Sequence, residues 1–196
     1  MNRWIVAALA LVLIGWWTMP PRERAHGPGV LAPDPPVQED LRGAAVIEHG
    51  EFRLTPLARF RVEARVLSRE DYRFDAGAAL SPMDLALGWG RMSDSAVLEQ
   101  LEIGQGARFY HYRWRDRPPL PPREMVVSSA NMHLVPADAD IARQLRRVRP
   151  GDVLRIDGLL IEARRDDGWF WRSSLTREDS GAGACELVYV TALSPS

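Results

Sequence analysis

Val153-Leu154-Arg155-Ile156-Asp157-Gly158-Leu159-Leu160-Ile161-Glu162-Ala163 alternates apolar and polar side chains as far as Gly158 and then changes phase. Leu154 and Ile156 share one face, whereas beyond the glycine the apolar positions become Leu159 and Ile161. Alternation at period two marks a half-buried strand. A glycine at a phase change predicts a bulge that bends the strand, as a curled sheet or barrel requires. The turn Arg165-Asp166-Asp167-Gly168 predicts that Trp169 to Ser173 folds back as a hairpin.

Upstream of this stretch, Ala137 to Val148 carries Ile141, Leu145 and Val148 on one stripe. That spacing predicts a helix, with Asp138 and Asp140 at its start, Arg146, Arg147 and Arg149 at its end, and Pro150-Gly151 as the stop. Phe60, Val62, Ala64 and Val66 alternate with Arg59, Arg61, Glu63 and Arg65, a second half-buried strand with a charged outer face. Ser81-Pro82 suits the start of a short helical stretch, and Ser93 to Leu101 suits another capped by Ser93 or Asp94. Gly88-Trp89-Gly90 between them reads as a tight turn presenting a tryptophan.

Arg108 to Arg115 (RFYHYRWR) reads as a strand with Phe109, His111 and Arg113 on one face and Tyr110, Tyr112 and Trp114 on the other. Pro118, Pro119, Pro121 and Pro122 stop it, and Met125 to Ser129 resumes extended structure. A polar, glycine-rich loop runs from Thr176 to Ala184, and Cys185 to Ala192 makes the last strand. The expected fold is a β-rich α+β domain with one main helix, and the preferred topology is a small curled β-barrel resembling an oligonucleotide/oligosaccharide-binding (OB) fold.

The N-terminus carries a different signal. Trp4 to Met19 (WIVAALALVLIGWWTM) is sixteen residues without a charge, framed by Arg3 and by Pro20-Pro21-Arg22-Glu23-Arg24. As a helix it would span about 24 Å, a little short of the roughly 30 Å hydrocarbon core. A cleaved signal peptide and an uncleaved transmembrane anchor both fit that length. Trp16, Trp17 and two prolines make a poor cleavage site, while tryptophans at both ends resemble an interfacial belt. The anchor is therefore preferred, with residues 1–20 as anchor or signal segment, 21–50 as a Pro/Gly-rich linker and 51–196 as the globular domain. A short basic start before an apolar run places the domain in the periplasm, held by a single pass through the inner membrane; release into the periplasm after cleavage is the alternative.

Composition narrows the chemistry. The net charge is −1, so the chain has no global attraction to nucleic acid. All 25 basic residues are arginine. The lone Cys185 leaves no intrachain disulfide and no cysteine-based zinc cluster. His26 and His49 lie in or beside the linker, and His111 and His133 within the domain show no HxH, HExxH or HxxxH spacing, so no metal and no cofactor is expected. No GxSxG elbow accompanies Ser128, Ser129, Ser173 or Ser174. The stretch Arg108 to Arg123 sets five arginines against Asp116 alone, interleaved with aromatic residues, a pattern that can stack rings while arginines hold anions.

Three segments, Gly88-Trp89-Gly90-Arg91-Met92-Ser93-Asp94, Ser128-Ser129-Ala130-Asn131-Met132-His133-Leu134-Val135-Pro136-Ala137 and Ser173-Ser174-Leu175-Thr176-Arg177-Glu178-Asp179 continuing to Cys185-Glu186-Leu187, appear together. The set resembles a family of bacterial, chiefly proteobacterial, proteins of uncharacterised activity that begin with an apolar segment. The likeness covers roughly Phe52 to Leu193. It implies export or membrane attachment, supplies no activity, and transfers no functional residue.

The expectation is a membrane-tethered binding or assembly module of the bacterial envelope, without enzymatic activity and with an envelope protein or polysaccharide as partner. Trp89, Arg91, His111, Asn131, His133, Arg177 and Glu178 form its candidate ligand surface. An envelope hydrolase using His133 with Glu178 or Asp179 is one alternative. A cytoplasm-facing oligonucleotide-binding barrel, which needs the opposite orientation, is the other.

Overall fold

The structure, a computed structural model, describes residues 23–176 and 185–196. The apolar run Trp4 to Met19 lies outside the described residues, as do Arg177, Glu178 and Asp179. Among the described residues no helix is long and apolar enough to cross a membrane.

Strand β1 (Val37–Asp40) and strand β2 (Ile47–His49) precede the 20-residue β3 (Phe52–Asp71), which is followed by β4 (Met83–Gly88). A 3₁₀ turn (Gly90–Ser93) and helix α1 (Ser95–Leu98) lead to the hairpin of β5 (Glu102–Gly106) and β6 (Phe109–Arg113). Helix α2 (Pro122–Val127), strand β7 (Ser129–Pro136), helix α3 (Ala139–Leu145), β8 (Val153–Arg164), β9 (Phe170–Arg172) and β10 (Glu186–Pro195) complete the order.

Five of these strands close a ring. β3 pairs with β4, β4 with β7, β7 with β10, β10 with β8, and β8 returns to β3. Every pairing is antiparallel except β7 with β10. Residues 53–65 of β3 face β8 and residues 65–71 face β4, so one strand serves two neighbours and must curl. Register shifts between Pro56 and Ala58 and between Val66 and Ser68 accommodate the bend.

The alternation read in β3 appears as burial: Phe60, Val62, Ala64 and Val66 are inside, against Met83, Leu85, Met132, Leu134, Ile156 and Leu160. Arg59 and Arg61 face solvent as expected, but Arg65 is buried. Ile141, Leu145 and Val148, the stripe read in the sequence, join the same cluster. Helix α3 starts two residues later than predicted, because Asp138 is its extended N-cap, accepting bonds from the N–H groups of Asp140 and Ile141 at 2.8 Å each. Its C-terminal carbonyls are met by Arg69, which donates to Arg146 O at 3.1 Å and Val148 O at 2.6 Å.

Three local expectations are corrected. The stretch opened by Ser81-Pro82 is not helical; Met83 to Gly88 is a strand in which every residue is buried. A strand paired on both sides and covered on both faces carries no alternation, and a short apolar run then reads equally well as helix. Met125 to Val127 is helical rather than extended, because Pro122 takes the first helical position where its missing N–H costs nothing. Trp89 is not presented by its turn; it is 2% exposed and belongs to the main core.

The Pro/Gly-rich stretch, expected as a spacer, is laid along the body in its described part. Arg24 N–H donates to Pro150 O at 2.9 Å, His26 Nε2 lies 2.7 Å from Gly151 O, and Gly29 N–H donates to Asp94 Oδ1 at 2.8 Å. The N–H groups of Leu31 and Ala32 both reach Ser93 Oγ, and Gly90 N–H donates to Ala32 O.

The irregularity anticipated at Gly158 falls on the neighbouring strand. β10 shifts register between Val190 and Ala192, opposite Gly158 and Asp157. The glycine lets the Tyr189 carbonyl approach, since a Cβ at 158 would overlap that oxygen. Gly158→Ala is therefore expected to cost about 2–3 kcal/mol, a fall of roughly 4–12 °C in Tm, as read by thermal or urea unfolding.

Candidate functional site

On β4 and β7, Asp84 stands opposite His133 and Ala86 opposite Asn131. Their neighbours Met83, Leu85, Met132 and Leu134 fill the ring, so period-two alternation turns Asp84, Asn131 and His133 to the outer face. This face would be open if β5 and β6 did not lie over it. Tyr110 and Tyr112 of β6 pack with Ala86, Met92 and Met125 beneath them, and Tyr110 Oη bonds to Ser129 Oγ at 3.3 Å. Burial raises the Tyr110 phenol well above its ordinary range.

The hairpin tip delivers Arg108. Ala107 (φ 50°) and Arg108 (φ 69°) both occupy the left-handed region, where non-glycine residues are strained, yet the register Gly106 to Phe109 leaves only these two residues for the turn. Contacts of the arginine offset that strain. Its guanidinium donates to Asp84 Oδ1 at 2.8 Å and to Asp75 at 2.8 and 3.2 Å. It lies 3.7 Å from the centre of the Tyr72 ring and 5.4 Å from that of Trp171. Its backbone N–H donates to Tyr72 Oη at 2.9 Å, and its carbonyl accepts from Asn131 Nδ2 at 3.1 Å.

Asp84 has no exposed surface. A carboxylate so placed persists only with partners, and it has three: Arg108, Asn131 Nδ2 at 3.3 Å, and His133 Nδ1 at 2.9 Å from Oδ1. The His133 approach is close but off the direction of a well-formed hydrogen bond. Trp171 covers the imidazole with ring centres 4.5 Å apart, and Gln105 Nε2 donates to Asn131 Oδ1 at 2.6 Å. Cys185 Sγ stands 3.7 Å from Arg108 O.

Around this buried knot the surface is aromatic. Phe74, next to Asp75 in the loop between β3 and β4, is 99% exposed, and Phe109, next to Arg108 at the hairpin tip, is about half exposed. The knot is thus a guanidinium held between two rings and two carboxylates and rimmed by exposed phenylalanines. Its exposed rings are surfaces on which a ligand can stack.

Of the residues singled out from sequence, Asn131 and His133 come together here. Trp89 is in the core; Arg91 is at the surface with Glu124, 3.3 Å away; His111 is exposed on β6, beside Gly104. Arg177 and Glu178 lie outside the described residues. Asp75, Asp84, Tyr72 and Trp171 were not singled out, and Arg108 was read only as part of the basic-aromatic stripe. A signal for Asp84 was present, since a carboxylate within Met83-Asp84-Leu85-Ala86-Leu87 demands a buried partner.

Among the described residues no group of three or more His, Cys, Asp or Glu side chains is arranged to hold a metal ion. Comparison of the chain with protein-family models, with curated proteins and with solved structures finds no match.

Arg108→Met is expected to destabilise the protein by about 3–5 kcal/mol, because Asp84 is left charged and buried. In a double-mutant cycle with Asp84→Asn, measured by urea unfolding, the two losses should fall well short of additive. Burial pushes the Asp75 carboxyl up, but bonds from Arg108 and the Gly77 N–H outweigh it and leave it below its ordinary value. A carboxyl depressed in the folded state adds stability above its unfolded value and loses it as pH falls through the folded one. Unfolding free energy should therefore decline below about pH 4, and Asp75→Asn should flatten that decline.

Proposed function

We propose that this chain is a membrane-tethered extracytoplasmic binding or assembly module of the bacterial envelope, built on an OB-like barrel. Numbered in chain order, the five ring strands follow one another as first, second, third, fifth and fourth, with the fourth closing on the first. Helix α3 stands between the third and fourth. That connectivity supports the OB-like reading. Barrels of that type take ligands on the face of the second and third strands, between the loop joining the first two and the loop joining the last two.

One observation carries the proposal: the Asp84–Arg108–His133 knot occupies the corresponding face, on β4 and β7, in contact with Tyr72 and Asp75 of the loop after β3 and with Trp171 of the hairpin after β8. The exposed Phe74 and Phe109 supply the local chemistry for binding there. The partner class is an envelope protein or polysaccharide. The sixteen uncharged residues Trp4 to Met19 supply the tether. Burial of His133, 3% exposed beneath Trp171, favours binding over the envelope-hydrolase alternative, which needs an imidazole that substrate can reach.

The test is made in a bacterial host, with a fusion that reports the address and a crosslink in the full chain. Alkaline phosphatase fused after Gly50 is expected to be active and to stay with the membrane fraction. A photoreactive benzoyl-phenylalanine replacing Phe74 is expected to crosslink an envelope protein or glycan. An inactive fusion would reject the extracytoplasmic address and favour the oligonucleotide-binding reading.

A further inference from the structure

A second site lies away from the knot, beneath the first described residues. There Arg65, Ser95, Leu67, Leu98, Leu101 and Ile103 line a cavity of about 440 Å³, within the range of about 300–1,000 Å³ typical of small-molecule sites. Its inner end is cationic. Arg65 is 4% exposed, and its guanidinium donates to Ser95 Oγ at 2.7 Å and to Ser93 O at 3.2 Å. Its Nε, buried, has no hydrogen-bond partner among the described residues.

A buried guanidinium needs an anion, and the one at hand is poorly placed. Glu23 Oε1 stands 3.6 Å from Arg65, beyond hydrogen-bond length, on a side chain that is 63% exposed at the mouth of the cavity. Burial pulls the guanidinium below its ordinary value, and Glu23, Asp94 and Glu99 only partly restore it. Glu99 also lines the mouth, as does His26, which is held against Gly151 O. Most of the remaining wall is aliphatic.

We infer that this cavity binds an amphiphile with a single anionic head and an apolar tail, the head taking the place of Glu23 against Arg65 and the tail lying on Leu67, Leu98, Leu101 and Ile103. A planar guanidinium suits a carboxylate or phosphate head because it can offer two parallel N–H groups. A free fatty acid and a lysophosphatidate share this chemistry. Glu23 follows Met19 by four residues, which at full extension is only about 14 Å of chain. Recognition rests on the cavity alone; the proposed membrane tether matters only for supply, so the two readings fail separately.

The test uses the full chain in phosphatidylcholine nanodiscs with a palmitic acid carrying a diazirine near its methyl end. Irradiation and peptide mapping are expected to place the label on residues 95–103. Arg65→Met should cut that label about tenfold, the loss of one charge-assisted interaction, whereas Glu23→Gln, which removes the internal competitor, should raise it. The methyl ester of the probe should not label this wall. Competition by unlabelled palmitate or by lysophosphatidate identifies the preferred head. Label absent from residues 95–103, ester labelling equal to acid, displacement by neither competitor, or no rise with Glu23→Gln would overturn the inference. The Glu23 variant alters an exposed side chain, so the test stands even if Arg65→Met does not fold.

Discussion

β3 spends the hydrogen-bonding groups of both its edges. One edge runs along β8 from Arg53 to Arg65, and the other meets β2, β1 and then β4. Everything else follows from that double commitment. Because the two partners diverge, β3 has to curl, and its curl brings β4, β7, β10 and β8 round into a ring whose interior the side chains of all five strands fill. Closure removes edges that would otherwise recruit foreign strands. It also leaves an outer face on β4 and β7, and that face is where polar residues could accumulate without breaking the core.

Two buried charges show how the fold manages such residues. Asp84 is surrounded: arginine, histidine and asparagine meet its oxygens, and the hairpin that brings the arginine accepts two strained residues at its tip. Arg65 is served less well, with two good hydrogen bonds, one long ion pair and an idle Nε. The first arrangement is self-sufficient and stiff. The second stands beside an aliphatic cavity and leaves part of the cation's demand unmet.

Much of the frame was legible because solvent wrote it. Strands with one wet face, such as Phe60 to Val66 and Phe109 to Arg113, alternate; the hairpin after Ala163 is announced by its turn; the stripe Ile141, Leu145, Val148 is the buried side of α3. Elements hidden from water on every side left no such trace, which is why Met83 to Gly88 read as helix and Trp89 as an exposed turn residue. Asn131 and His133 could be singled out, and Asp84 announced that it needs a buried partner, but which residues meet could not be read, since Asp84, Arg108 and Trp171 come from segments that only ring closure and the inserted hairpin bring together. Arg65 broke its own pattern: its place in the alternation predicted solvent, and the chain from Glu23 to Ala32 folded over it instead.

The single parallel pairing, β7 with β10, sets the order in which a nascent chain can become this molecule. β10 is made after β7 and β8, the two strands between which it fits. Until it arrives, Met132 and Leu134 on one side and Ile156 and Leu160 on the other line an unzipped seam, and of its ring neighbours β8 can bind only β3, almost a hundred residues earlier. Contacts of such long sequence separation form slowly, so the ring stays open until β10 has been made and is exposed to misassociation for that time.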